Sequence, residues 1–228
     1  MPFPLTHLYV AWQVLHPRQR NNSFGDVLAK NEPQFLLGAI APDAVHYREQ
    51  FKTAGMSNIG PAKKRTHLCP ISGEKWGQVT DNKGWLACVK NFLDEHKNEP
   101  FARGYAAHVI TDIHNNQSIW HNFRKNHPEE AGKGYESEYY ADMRSIDTRM
   151  YNELPQVAEI MDILKKSTPP DLAPFAYKDE INAIKASILD DYNKKLLAPY
   201  TKQYTFVSYD DMLNFIDEAV KICIERLA

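Results

Sequence analysis

The stretch GYAAHVITDIHNN, residues 104–116, sets two ligand-capable side chains, His108 and Asp112, four positions apart among small and apolar neighbours. On a helix that spacing puts both on one face, with Cβ atoms roughly 5–6 Å apart. From there an imidazole nitrogen and a carboxylate oxygen can reach one ion at about 2.0–2.2 Å each. Ala106, Ala107, Val109 and Ile110 imply a buried helix, and a buried aspartate needs a partner or an ion. Pairing of Asp112 with a lysine or arginine elsewhere is the alternative reading. A second pair at the same spacing, Glu138 and Asp142 in YESEYYADM, falls on what reads as the next long helix. Alone it would read as a solvated acidic pair, but Tyr135, Tyr139 and Tyr140 share the helix and argue against a purely solvated face. Two facing helices that each offer such a pair describe a metal site in the core of a helical bundle.

Helical periodicity extends outward from these segments. Leu8, Tyr9, Trp12 and Leu15 predict a first helix over 6–15 that Pro17 ends, and a turn at 19–23 precedes a short helix at 24–30. Pro33 opens a helix through Phe35, Leu36, Leu37 and Ile40, closed by Ala-Pro-Asp at 41–43. From 44 to 73 the pattern is irregular, broken by Gly55, Gly60, Pro61 and Pro70, and predicts a long functional loop that carries His67. Further helices are predicted over 73–95, 100–113, 134–152, 155–166, 178–197 and 209–227, with Ser208 and Asp211 resembling a capping box. Alternating strands, internal repeats and low-complexity tracts are absent from the sequence. The expected fold is all-α, a multi-helix bundle forming a single domain over 1–228.

With 43% hydrophobic and 25% charged residues in 228, the chain has the composition of a globular domain with a sizeable core. A net charge of −2 and a pI near 6.5 argue against bulk binding to nucleic acid. The adjacent Lys63, Lys64 and Arg65 read as a solvated loop, with contact to a substrate phosphate as the alternative. The N-terminal MPFPLTHLYVAWQVLHP lacks a basic n-region and a small-residue cleavage site. Nothing approaches the ~18 apolar residues that span a bilayer. Cys69, Cys88 and Cys223 are odd in number, lack C-x-x-C spacing and read as reduced thiols, so the expected location is the cytoplasm.

Thr6-His7-Leu8, LLGAIAPD at 36–43, Arg65-Thr66-His67, H-x-x-x-D at 108–112 and E-x-x-x-D at 138–142 occur in an order that resembles the zinc-dependent phospholipase C family. These are α-helical phosphodiesterases whose fold is shared with single-strand-specific nucleases. The resemblance implies that His67, His108 and Asp112, with Asp43, ligate one metal, Asp112 also reaching toward a neighbouring one. Asp43 further matches a carboxylate proposed as general base. His7 would join Asp142 at another metal; Glu138 falls where the family has histidine, and Asp142 where it has glutamate. His121 is the match for a further histidine ligand, with His114 competing. The implied cofactor is zinc, as two or three ions, while the oxygen of Glu138 would also admit manganese, iron or magnesium.

The implied activity is metal-dependent hydrolysis of a small-molecule or lipid phosphodiester, by water activated at a multinuclear site. The 44–73 region, with Tyr47, Phe51 and the basic triplet, would form its rim or lid. Other helical phosphohydrolases need an adjacent His-Asp dipeptide, which this chain lacks. The competing reading from another class is a metal-binding helical protein without catalysis, serving sensing or structure.

Overall fold

The computed structural model describes residues 3–16, 31–54, 59–70, 74, 76–96 and 99–228, and among these the fold is all-α without a strand, as the periodicity predicts. The helices are α1 (Pro4–Leu15), α2 (Glu32–Gly38), α3 (Glu49–Ala54), α4 (Ile59–Thr66), α5 (Asn82–Glu95), α6 (Pro100–Gln117), α7 (Ile119–Asn126), α8 (Pro128–Gly132), α9 (Glu138–Glu153), α10 (Val157–Lys166), α11 (Lys178–Lys195) and α12 (Tyr209–Leu227). Short 3₁₀ turns cover Ala41–Tyr47 and Gly134–Glu136.

Local chemistry sets the helix ends. Pro4 and Pro100 open α1 and α6, where a missing N–H costs nothing. Asp81 starts α5 by accepting from the Gly84 amide at 2.8 Å, which is why this helix begins nine residues later than periodicity alone suggests. Ser208 and Asp211 form the reciprocal box: Ser208 Oγ accepts from the Asp211 amide at 3.1 Å, and Asp211 Oδ2 accepts from the Ser208 amide at 2.9 Å.

The expected long loop at 44–73 is in part helical, because Gly60 and Pro61 sit in the first turn of α4 rather than inside it. Phe51, expected at a rim, is buried against Val45. The expected turn at 19–23 and helix at 24–30 lie outside the described residues. Among the described residues, no helix is long and apolar enough to cross a membrane.

Helix α6 is buried on nearly every face and packs against α1, α2, α5 and α12, so its small and apolar residues are spread around it rather than gathered in one stripe. Its crossing with α2 is set by two glycines. A Cβ built on Gly38 would lie 2.0 Å from the Phe101 carbonyl oxygen, and one on Gly104 would lie 1.9 Å from that of Phe35. The two helices therefore meet backbone to backbone, which only glycine permits. This contact presses the chain just beyond α2 onto the face of α6 that carries His108 and Asp112.

Candidate metal centre

The fold brings His7, Asp43, His67, His108 and Asp112 together from α1, the 3₁₀ turn after α2, the end of α4, and α6. The end of α4 is a Schellman motif: the Cys69 amide donates to the Lys64 carbonyl at 2.8 Å and the Leu68 amide to that of Arg65 at 3.1 Å. Leu68 occupies the left-handed position at φ 53°, a conformation that costs a non-glycine residue roughly 1–2 kcal/mol. Two aromatic side chains secure this turn. Trp85 Nε1 donates to the His67 carbonyl at 2.7 Å, and the Tyr105 hydroxyl donates to that of Thr66.

Hydrogen bonds assign the imidazole tautomers. His108 Nδ1 donates to the Ala39 carbonyl at 2.7 Å, and His67 Nδ1 donates to the Lys63 carbonyl at 2.9 Å. Each ring thus commits its hydrogen to the backbone and turns Nε2 inward, the orientation that fixes histidine as a metal ligand. The two Nε2 atoms face one another at 3.3 Å. Two carboxylates stand close to them. His67 Nε2 is 3.4 Å from Asp43 Oδ1 and 3.4 Å from Asp112 Oδ2, and His108 Nε2 is 3.6 Å from Asp112 Oδ2 and 3.9 Å from Asp43 Oδ2. Lone pairs converging in this way repel unless a cation lies among them.

The spacing fits one. A tetrahedral ion with bonds of about 2.0–2.2 Å holds its ligand atoms roughly 3.3–3.6 Å apart. Two imidazoles and two carboxylates make a donor set of zinc type. His7 extends the cluster, with its Nε2 3.6 Å from Asp112 Oδ1 and its ring stacked on His108 at 3.7 Å. Neither His7 nitrogen nor Asp112 Oδ1 has a hydrogen-bond partner, although all three atoms are buried. Asp112 thus offers one oxygen to each side of the cluster, as a carboxylate bridging two ions would.

Burial pushes His7 down to about 3 and His67 to about 4, so both rings hold a free lone pair at neutral pH. For His108 burial acts in the same direction, but the hydrogen bond and charge of Asp112 outweigh it and raise the ring above its ordinary value. A proton on its Nε2 answers Asp112 as a metal would. Burial raises both carboxylates, yet the charge of the Lys63 ammonium holds Asp43 well below the usual range. His108 does the same for Asp112. Asp112 is sealed, its side chain 1% exposed, whereas that of Asp43 is 15% exposed and meets solvent.

Three of the residues expected as ligands lie outside this cluster. The Asp142 carboxylate is taken up by backbone amides, accepting from Thr205, Phe206 and Val207 at 3.0, 2.6 and 3.1 Å. Glu138 is exposed in the first turn of α9, and His121 is exposed on α7. The competing His114 stacks on Phe215 and pairs with Glu218 at 3.2 Å.

Two residues stand at the cluster that were not expected there. Lys63, expected on a solvated loop, is buried with Nζ 2.9 Å from Asp43 Oδ1. Asn115, one turn beyond Asp112 on the same face of α6, is fully buried with both amide atoms unpartnered. The spacing 63/67 on a helix would have marked the first, and 112/115 the second.

This donor set, carried on an all-α scaffold by a buried H-x-x-x-D helix, defines a class of helical metal-site proteins. The chain belongs to the zinc dependent phospholipase C family, whose description matches residues 4–226. Neither the curated proteins nor the solved structures contain a match.

Proposed function

We propose that the chain hydrolyses a phosphodiester, lipid or small molecule, with zinc held by Asp43, His67, His108 and Asp112. The observation that carries this reading is the inward-facing pair of Nε2 atoms at 3.3 Å, surrounded by carboxylates and fixed from behind by backbone carbonyls. Family membership supports the same chemistry. A bound divalent ion supplies Lewis acidity toward a phosphoryl oxygen and toward water.

The chain's own residues divide the remaining work. Asp112, sealed and placed between His7 and His108, anchors the set. Asp43 is the partly exposed carboxylate, held ionised by its neighbours, and its solvent-facing side can accept a proton from an approaching water. The carbonyls of Ala39 and Lys63 keep the two imidazoles in register while charge changes in front of them.

The test is Asp43→Asn, with zinc content and hydrolysis of a panel of phosphodiesters measured in parallel. Turnover should fall by about 10²–10⁴-fold, the usual contribution of a positioned base, while zinc is retained better than activity. Full activity in the variant removes Asp43 from the mechanism. Zinc-loaded wild type inactive on every phosphodiester and phosphomonoester assayed would point instead to metal binding without catalysis.

A further inference from the structure

We infer that Lys63 is a resident counter-cation of the metal centre, whose ammonium shares Asp43 with the incoming ion and so weakens zinc binding. This rests on the metal reading above and adds the residue that sets how tightly the metal is held. Lys63 lies one turn before His67 on the same face of α4. Its carbonyl receives the His67 Nδ1 hydrogen at 2.9 Å, while its Nζ sits 2.9 Å from Asp43 Oδ1. That same oxygen is 3.4 Å from His67 Nε2. One carboxylate oxygen is therefore addressed from two sides, by an ammonium already present and by the lone-pair cluster that would surround an ion.

The ammonium is held rather than free to swing. His46 Nε2 accepts from it at 3.0 Å, since an ammonium can only donate, and the Trp76 ring lies 5.4 Å beneath it. The Trp76 ring also packs edge-on to His67 at 4.7 Å, so the amine is walled in against the cluster. Charge bookkeeping then gives the direction. Asp43 and Asp112 carry two negative charges that a divalent ion would neutralise, and Lys63 leaves a positive excess once the ion is bound. Like charges at this range in a buried setting oppose one another.

The experiment compares wild type with Lys63→Met, which keeps the length and removes the charge, and with Lys63→Arg, which keeps the charge. Zinc affinity is measured by competition with a chelator, and thermal melting is followed with and without zinc. Lys63→Met should bind zinc about tenfold more tightly or better, melt lower than wild type without zinc, and gain more on zinc addition. Lys63→Arg should stay near wild type. If Lys63→Met does not fold by circular dichroism, Lys63→Gln takes its place under the same criteria. Zinc affinity equal to or weaker than wild type in a folded charge-free variant overturns the inference and leaves Lys63 a structural ion-pair partner. A wild type that binds no zinc overturns the metal reading itself, a different outcome.

Discussion

Helices α6 and α9 carry ligand-capable side chains at the same four-residue spacing, His108 with Asp112 and Glu138 with Asp142, and their two aspartates meet opposite surroundings. Asp112 faces imidazole nitrogens and has an oxygen with no donor at all. Asp142 faces three backbone N–H groups from the turn that leads into α12, and its hydrogen-bonding capacity is spent there. A buried carboxylate surrounded by acceptors calls for a cation, and one surrounded by donors is already complete. Spacing alone does not distinguish them; the groups each carboxylate meets do.

The comparison breaks most severely through Gly104→Ala. The new methyl would meet the Phe35 carbonyl oxygen, so α2 and α6 must separate and the Ala39 bond to His108 must open. A loss of about 3 kcal/mol or more is expected, with zinc binding lost alongside. Denaturant unfolding and metal content would check both, and normal zinc affinity in this variant would mean that the crossing does not position the site.

Next in size is a crossed pair of substitutions. Asp142→Ala strands three amides and should cost about 2–3 kcal/mol in urea unfolding, with zinc affinity unchanged. Asp112→Asn should lower zinc affinity by more than the ~10–100-fold typical of outer-sphere partners. If both variants lose zinc equally, the contrast between the two helices is wrong.

The smallest effect sharpens the comparison through acid. In the metal-free protein His7 and His67 resist protonation down to about 3 and about 4, while unfolded histidines titrate near 6.5. Between those values the unfolded chain binds the extra protons, so stability is greatest above 6.5 and falls as the pH drops toward 4. Each of the two imidazoles contributes a slope of about 1.4 kcal/mol per pH unit. His108, shifted upward, opposes them. Melting of metal-free protein from pH 7 to 5 should follow this trend, and His7→Phe should remove one share of the slope. An acid slope unaltered by that change would mean that His7 is not buried in neutral form.

What the sequence disclosed follows the range of the interactions involved. The all-α fold and the α6 half-site were legible because periodicity and four-residue spacing act within a single helix. Asp43 and His67 were reached through a resemblance of short motifs, since nothing near either residue in sequence announces its partners. Lys63 was hidden because three consecutive basic residues look solvated, and because glycine and proline concealed the helix that turns only the first of them inward. The surroundings of Asp142 were hidden for a related reason: the amides that bond to it lie 63–65 positions further along the chain. Nothing in the local pattern around Asp142 shows a bond of that kind.

Trp76 gives the centre a property of another kind. Its indole touches the His67 ring on one side and the Lys63 ammonium on the other, and Trp85, bonded to the His67 carbonyl, packs against it at 5.8 Å. Two of the chain's four tryptophans thus stand within one residue of the converging lone pairs. Indole emission responds to nearby charge, so ion entry and any displacement of the ammonium would both reach the same fluorophore. Intrinsic tryptophan emission would then follow ion entry without any added label.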